Sequence, residues 1–332
     1  MAKTRVIHFG LGPIGIGVAR LVAARGDMQI VGAIDIDPNK VGKDFGAMLD
    51  GRALGVPVSG DASAVLNKRT ADIVALTTAS SLKKVAPQIR QIVQAGLPLV
   101  STCEELSYPR AHNADLVDEL DALAKEHGVA VYATGVNPGY VMDALPLMLT
   151  APCADVKKVR IVRMQDASVR RLPFQQKIGA GITREEFQQR VSDGSVRHVG
   201  LRESITMIAE SLGWTLSDYR EEIEPVMAER DIQTPFLGVK AGSVAGVNQV
   251  GRGFVNGEER IRLQLVAYVG APESHDTVDI EGTPNIRSTI AGGLHGDVAT
   301  AALVVNSIPR VIHAPPGLLT PNNLPIPHWR AA

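Results

Sequence analysis

Two adjacent carboxylates, Glu104 and Glu105, follow the short apolar run Leu97-Pro-Leu-Val-Ser101. Removing a hydride from an amine requires the neutral amine, because an ammonium has no lone pair to support the forming iminium. A carboxylate can take that proton, offset the iminium charge and activate the water that hydrolyses it. One glutamate suffices, so both are catalytic candidates, with Glu104 the first choice. The pair also has a structural reading, since Ser101-x-x-Glu104 and Thr102-x-x-Glu105 each match a capping box. Against capping, Pro109 soon follows and suits the first position of a longer helix.

A second constellation lies near the N-terminus. Gly10-Leu-Gly12-Pro13-Ile14-Gly15 is a complete G-x-G-x-x-G between a strand pattern and a helix pattern. The first glycine allows the turn, the second lets backbone approach a pyrophosphate, and the third lets helix and strand pack closely. Asp35 follows Gly15 by twenty residues, where an acid bonds ribose hydroxyls. It repels a 2′-phosphate and so favours NAD. Lys40 and Lys43 offset that repulsion in part and keep NADP as the alternative.

Thr77, Thr78 and Ser80 end a later strand, where small hydroxyl residues can line a nicotinamide, although Ser80 or Ser81 equally suits a helix N-cap. Asn137-Pro-Gly139 is a turn signal. Asn137 there can orient substrate or the cofactor amide, or hold its own turn. Tyr140 and Met142 are candidates for the pocket wall.

The elements that must position these groups alternate over the first 135 residues. Strands are expected at 5–10, 29–35, 72–77, 97–101 and 129–132, and helices at 14–24, 80–94 and from 109 to about 127. The class is α/β: an N-terminal Rossmann dinucleotide-binding domain with a parallel sheet, over residues 1–145. Residues 146–290 read as an α+β substrate and dimerisation domain with a mixed or antiparallel sheet. There, 156–165 alternates as a strand does; 183–190, 198–212 and 215–224 read as helices; and Asn256-Gly257 marks a hairpin. Residues 291–332 form a late helix, from 292 to 308, and a Pro-rich tail expected to pack back on the first domain.

Composition narrows the partners. The 332 residues carry a net charge of −1, with 45% hydrophobic and 21% charged residues. Near-zero charge gives no global attraction to nucleic acid or membrane, and no apolar run reaches the length of a membrane span. Two cysteines, Cys103 and Cys153, cannot build a disulfide framework. They fit a reducing, cytoplasmic setting. The histidines show no metal-ligand spacing, so no metal is expected. Aromatics at 4% imply a pocket walled mainly by aliphatic side chains, suiting a small substrate.

Three segments together resemble the 2,4-diaminopentanoate dehydrogenases and related native amine dehydrogenases: residues 10–17, Ser101-Thr-Cys-Glu-Glu-Leu106 and Thr134-Gly-Val-Asn-Pro-Gly139. Residues 174–181, 198–204 and 293–298 extend the resemblance over nearly the whole chain. It implies NAD(P)-dependent oxidative deamination of a small amine or diamino acid, and reductive amination of a ketone or aldehyde with ammonia. It further implies a glutamate base within the Glu104–Glu105 pair and a homodimer. Gln165, Arg170, Lys177, His198 and Arg202 are the polar pocket candidates of the second domain, and His295 stands between glycines at a helix start. A substrate carboxylate would require an Arg or Lys among them.

The fold implied is similar to dihydrodipicolinate reductase, but the His-His and Lys-x-Asp-x-Pro-Ser-Gly-Thr segments of that enzyme are lacking. Two alternatives remain: a reductase of a cyclic imine or carbonyl that needs no ammonia, and a nucleotide-binding sensor without turnover.

Overall fold

The computed structural model describes residues 2–111 and 113–331. In chain order the first elements are β1 (Thr4–Phe9), α1 (Pro13–Ala24), β2 (Met28–Ile34), α2 (Phe45–Leu49), β3 (Val58–Ser59), β4 (Ile73–Leu76), α3 (Leu82–Gln94), β5 (Leu99–Ser101), α4 (Glu104–Ser107), α5 (Ala114–Glu126) and β6 (Ala130–Ala133). Then come α6 (Ala144–Leu149), β7 (Asp155–Asp166), α7 (Leu172–Lys177), α8 (Arg184–Ser192), α9 (Leu201–Ser211), β8 (Asp218–Met227), β9 (Ile232–Gln233), β10 (Gly238–Val239), β11 (Val244–Val255), β12 (Glu258–Tyr268), β13 (His275–Thr283) and β14 (Ile286–Ala291). The chain closes with α10 (Gly296–Val311) and β15 (Gly317–Leu319). It divides into two compact units, residues 1–140 with 295–332, and residues 141–294. These divisions fall five residues before and four after the positions at which the pattern changes in sequence.

The first unit holds a seven-stranded sheet in the order β15-β6-β5-β4-β1-β2-β3. Every pairing in it is parallel. Its strands are short apolar runs because both faces are covered. Ile7, Phe9, Val74 and Leu76 face one side with Val85, Ile89, Ile92 and Val93 of α3. Val6, Ile73 and Ala75, one residue out of phase, face the other with Val18 and Val22 of α1 and Val304 and Ile308 of α10. The proline-rich tail contains a strand that the sequence reading lacks. β15 is only three residues, too short to show a period, and is defined by pairing with β6.

The second unit holds a mixed sheet in the order β14-β13-β7-β12-β11-β8. Its β7–β12 pair is parallel and the others antiparallel. The β11–β12 hairpin turns at Asn256 (φ 51°) and Gly257 (φ 80°), the two positive-φ positions of a tight hairpin loop.

One expected helix is a strand. Residues 218–227, overlapping the expected helix 215–224, form β8. Tyr219, Glu221 and Ile223 are half-buried and alternate with exposed Asp218, Arg220, Glu222 and Glu224, a period of two. Pro225 is tolerated because β8 is an edge strand. The helix expected from Pro109 is also interrupted: Pro109–Ala111 is a single 3-10 turn and α5 begins at Ala114. α9 begins at Leu201 rather than 198, after Gly200 at φ 119°.

Candidate active site

The glycine turn between β1 and α1 separates its three glycines by what surrounds them. A Cβ on Gly15 would lie 2.0 Å from the Gly10 carbonyl oxygen, and one on Gly10 2.7 Å from Thr78 Cγ2. Those two glycines are required by packing. Gly12 differs, since a Cβ there meets nothing within 4 Å and its φ is an ordinary −70°. The open space beside Gly12, at the N-cap of α1, is where backbone can meet a dinucleotide pyrophosphate. Pro13 opens α1 as an exposed residue, with Ile14 half-buried behind it.

Asp35 follows β2. Its Oδ2 accepts the Leu11 N–H at 2.8 Å, and its Oδ1 accepts the Asp37 N–H at 2.9 Å. Lys40 Nζ lies 3.1 Å from Asp35 Oδ2 and 3.4 Å from Asp37 Oδ2. Burial opposes ionisation of Asp35, but the amides of Asp37 and Leu11 and the Lys40 ammonium hold its carboxyl below the usual range. It is therefore an anion fixed to the glycine turn. Ile36, next to it and 85% exposed, is a candidate apolar seat for a purine that sequence reasoning missed. The available signal is an aliphatic residue placed after the acid at a strand end.

Thr77 Oγ1 donates to the Gly10 carbonyl at 2.7 Å, tying the end of β4 to the same turn. Thr78 is exposed and donates to Gln88. Ser81 occupies the N-cap position of α3, but its side chain makes no capping bond. The cap comes from elsewhere: Glu105 Oε2 accepts the Leu82 N–H at 2.7 Å. The Ser80 carbonyl accepts the Glu105 N–H at 3.2 Å and the Cys103 thiol at 3.2 Å. Neither capping-box match supplies the N-cap of α4, which is Cys103 with no side-chain bond. Burial pushes the Cys103 thiol up to about 12, so it stays protonated and acts as a donor.

The structure thus brings Gly10, Gly12, Gly15, Asp35, Thr77, Ser80 and the glutamate loop to the carboxyl ends of β1, β2, β4 and β5. Ligands bind at that edge of an open parallel sheet. Glu104 opens α4, half-buried. Asn137 is buried at a cis peptide bond to Pro138, in the loop after β6, and Tyr140 is half-buried at its end.

In the second unit, Met142 is fully buried. Gln165, near the end of β7, donates to the neighbouring Met164 carbonyl at 3.1 Å. The Arg170 guanidinium lies 4.1 Å from the centroid of the Phe174 ring. His198 is held by its backbone, which donates to Gln249 Oε1 and accepts from Gln249 Nε2, both at 2.8 Å. Burial, with the charges of Lys177 and Arg163, pushes its imidazole down to about 3, leaving it neutral. Arg202 and Lys177 are exposed, and Arg202 lies over the Tyr219 ring. His295, in the first unit, is exposed at the N-cap of α10.

Among the described residues no group of three or more His, Cys, Asp or Glu can hold a metal ion, and no helix is long and apolar enough to cross a membrane.

Comparison with known proteins bears on both units. Residues 140–331 match the family described as the 2,4-diaminopentanoate dehydrogenase C-terminal domain, and residues 4–131 that of the dihydrodipicolinate reductase N-terminus. The chain is 35% identical to 2,4-diaminopentanoate dehydrogenase of Acetoanaerobium sticklandii, over 98% of this chain and 95% of that protein. It is 26% identical to an amine dehydrogenase of Streptomyces virginiae, over 96% of each. Among solved structures, amine dehydrogenase from Mycobacterium smegmatis superimposes with a TM-score of 0.86 at 28% identity, over 99% of this chain and 98% of that one.

Proposed function

The chain belongs to the 2,4-diaminopentanoate dehydrogenase family, and from that premise we propose that Glu104 is its general base. The protein is an NAD(P)-dependent amine dehydrogenase, an oxidoreductase acting on amine donors. A bound nicotinamide supplies the hydride acceptor. The observation that carries Glu104 over its neighbour is the engagement of the Glu105 carboxylate with the Leu82 amide.

In the proposed reaction the Glu104 carboxylate takes a proton from the substrate ammonium and passes it to solvent, so that it is ionised again before the hydride leaves. The amine lone pair then supports departure of the α-hydride, and the carboxylate offsets the charge of the resulting iminium. Glu104 next helps water add to that carbon, and collapse releases a ketone or aldehyde and ammonia. The reverse sequence aminates a carbonyl.

We favour NAD over NADP because the Asp35 carboxylate faces the ribose position of the motif. Gly12 and the Leu11–Asp35 bond support the fit of a dinucleotide at this edge. The substrate is a small amine. One bearing a carboxylate, a diamino acid such as that named for the relative, is favoured by the cations Arg170 and Lys177 in the second unit, Arg163 there being committed to Asp276. We further propose a homodimer, as the family resemblance implies, in a reducing cytoplasm that keeps Cys103 and Cys153 free.

The test is NADH oxidation with small ketones, aldehydes and 2-amino-4-oxo acids, with and without ammonium, in wild type, Glu104→Ala and Glu105→Ala. Ammonium-dependent turnover that disappears in Glu104→Ala supports the reading. Full activity in that variant overturns the glutamate role. Equal rates without ammonium point to a carbonyl reductase, and cofactor binding without turnover across the panel to a sensor.

A further inference from the structure

We propose that Lys40 is the residue that admits a 2′-phosphate beside Asp35 and so sets the balance between NAD(H) and NADP(H). The inference rests on the dinucleotide reading of the glycine turn. Asp35 by itself repels a 2′-phosphate, and Asp37 adds a second carboxylate two residues on. Both converge on one ammonium, at 3.1 Å and 3.4 Å from Lys40 Nζ. That ammonium has three donor hydrogens on a flexible four-carbon stem, and its side chain retains 24% exposure. It can therefore keep an acid and still donate to a phosphate oxygen.

The same contact acts on NAD. A carboxylate offers about four acceptor positions. On Asp35 the Leu11 amide, the Asp37 amide and Lys40 already take three. A ribose diol must therefore share the carboxylate with Lys40 or displace it. Lys40 thus weakens the acid that selects NAD and supplies the cation that a phosphate needs. Lys43 is exposed three residues on, and it serves as the control for a merely diffuse positive field.

The experiment is calorimetric titration of the substrate-free protein with NADH and with NADPH, for wild type, Lys40→Ala and Lys43→Ala. Loss of one charge-assisted hydrogen bond predicts that Lys40→Ala weakens NADPH about tenfold or more, while NADH changes by no more than about threefold. An NADPH to NADH affinity ratio in Lys40→Ala within about threefold of wild type overturns the assignment. So does an equal shift in Lys43→Ala, which would indicate a diffuse field. Wild type binding neither dinucleotide overturns the cofactor reading itself, a result distinct from either.

Discussion

The Glu105 carboxylate accepts the Leu82 amide at 2.7 Å, so the second of two adjacent acids closes a helix 23 residues earlier in the chain. With the Glu105 N–H and the Cys103 thiol both on the Ser80 carbonyl, this bond staples the loop after β5 to the start of α3. Removing the acceptor in Glu105→Ala should cost about 1 kcal/mol, the usual worth of an N-cap. Glu105→Gln keeps an acceptor oxygen and should recover part of that. Urea unfolding of the three proteins measures both, and an Ala variant as stable as wild type would show that the bond contributes nothing.

Glu104→Gln should behave in the opposite way. General-base catalysis supplies about 10² to 10⁴ in rate, so turnover should fall by that order. Stability should stay within about 0.5 kcal/mol, as for a half-buried residue outside the core. NADH affinity, read by fluorescence, should be unchanged. A variant that loses stability in step with activity would reassign Glu104 to structure.

The glycine turn separates packing from ligand binding within one motif. Gly12→Ala places its methyl in open space at a permitted φ, so its melting temperature should match wild type while dinucleotide affinity drops. Gly15→Ala sets a methyl 2.0 Å from a backbone oxygen and should destabilise the first unit by several-fold more than a typical surface change, roughly 3 kcal/mol or beyond. Thermal melts with and without NADH distinguish the two. Normal NADH binding by Gly12→Ala would place the pyrophosphate elsewhere.

Much of the first unit was legible in sequence because each strand there is a short apolar run set off by glycine or a helix period. The glycine motif, Asp35 and the glutamate loop could be placed at strand ends for the same reason. What escaped depended on partners distant in sequence. β15 is visible only through β6, and the capping bond that engages Glu105 only through Leu82. β8 reads as a helix in sequence because its Glu and Arg residues carry good helix propensity. Its period of two acquires meaning only beside β11, where the half-buried Tyr219, Glu221 and Ile223 share one face.

In the second unit Arg163 and Asp276 form a buried pair at 2.9 Å between registered positions of β7 and β13. The Leu294 backbone completes it, its amide donating to Asp276 and its carbonyl accepting from Arg163, both at 2.7 Å. Burial pushes the Arg163 guanidinium down, with Asp276 opposing that loss. Asp276→Ala leaves a desolvated cation and should cost about 3–5 kcal/mol. The apolar double variant Arg163→Met with Asp276→Leu should recover most of that loss. Additive single and double losses in urea unfolding would deny any coupling.

His8 gives the first unit an acid limit. It sits in β1 at 1% exposure, beside the Phe45 ring at 5.6 Å, with no hydrogen-bond partner at either ring nitrogen. Burial pushes its imidazole from 6.5 down to about 3. The unfolded chain therefore binds a proton that the folded chain refuses between those values. Stability is fully present above about pH 6.5 and is lost as pH falls toward 3. At about pH 4.5 the loss from this one group is on the order of 3 kcal/mol. His8→Leu preserves the apolar fit of β1 and removes the titration. Its unfolding free energy should consequently fall less steeply between neutral pH and about pH 4.5, by an amount on the order of 3 kcal/mol. Some slope will remain from His198, which is also held neutral. Parallel pH profiles for the variant and wild type in urea would mean that His8 accepts its proton in the folded state.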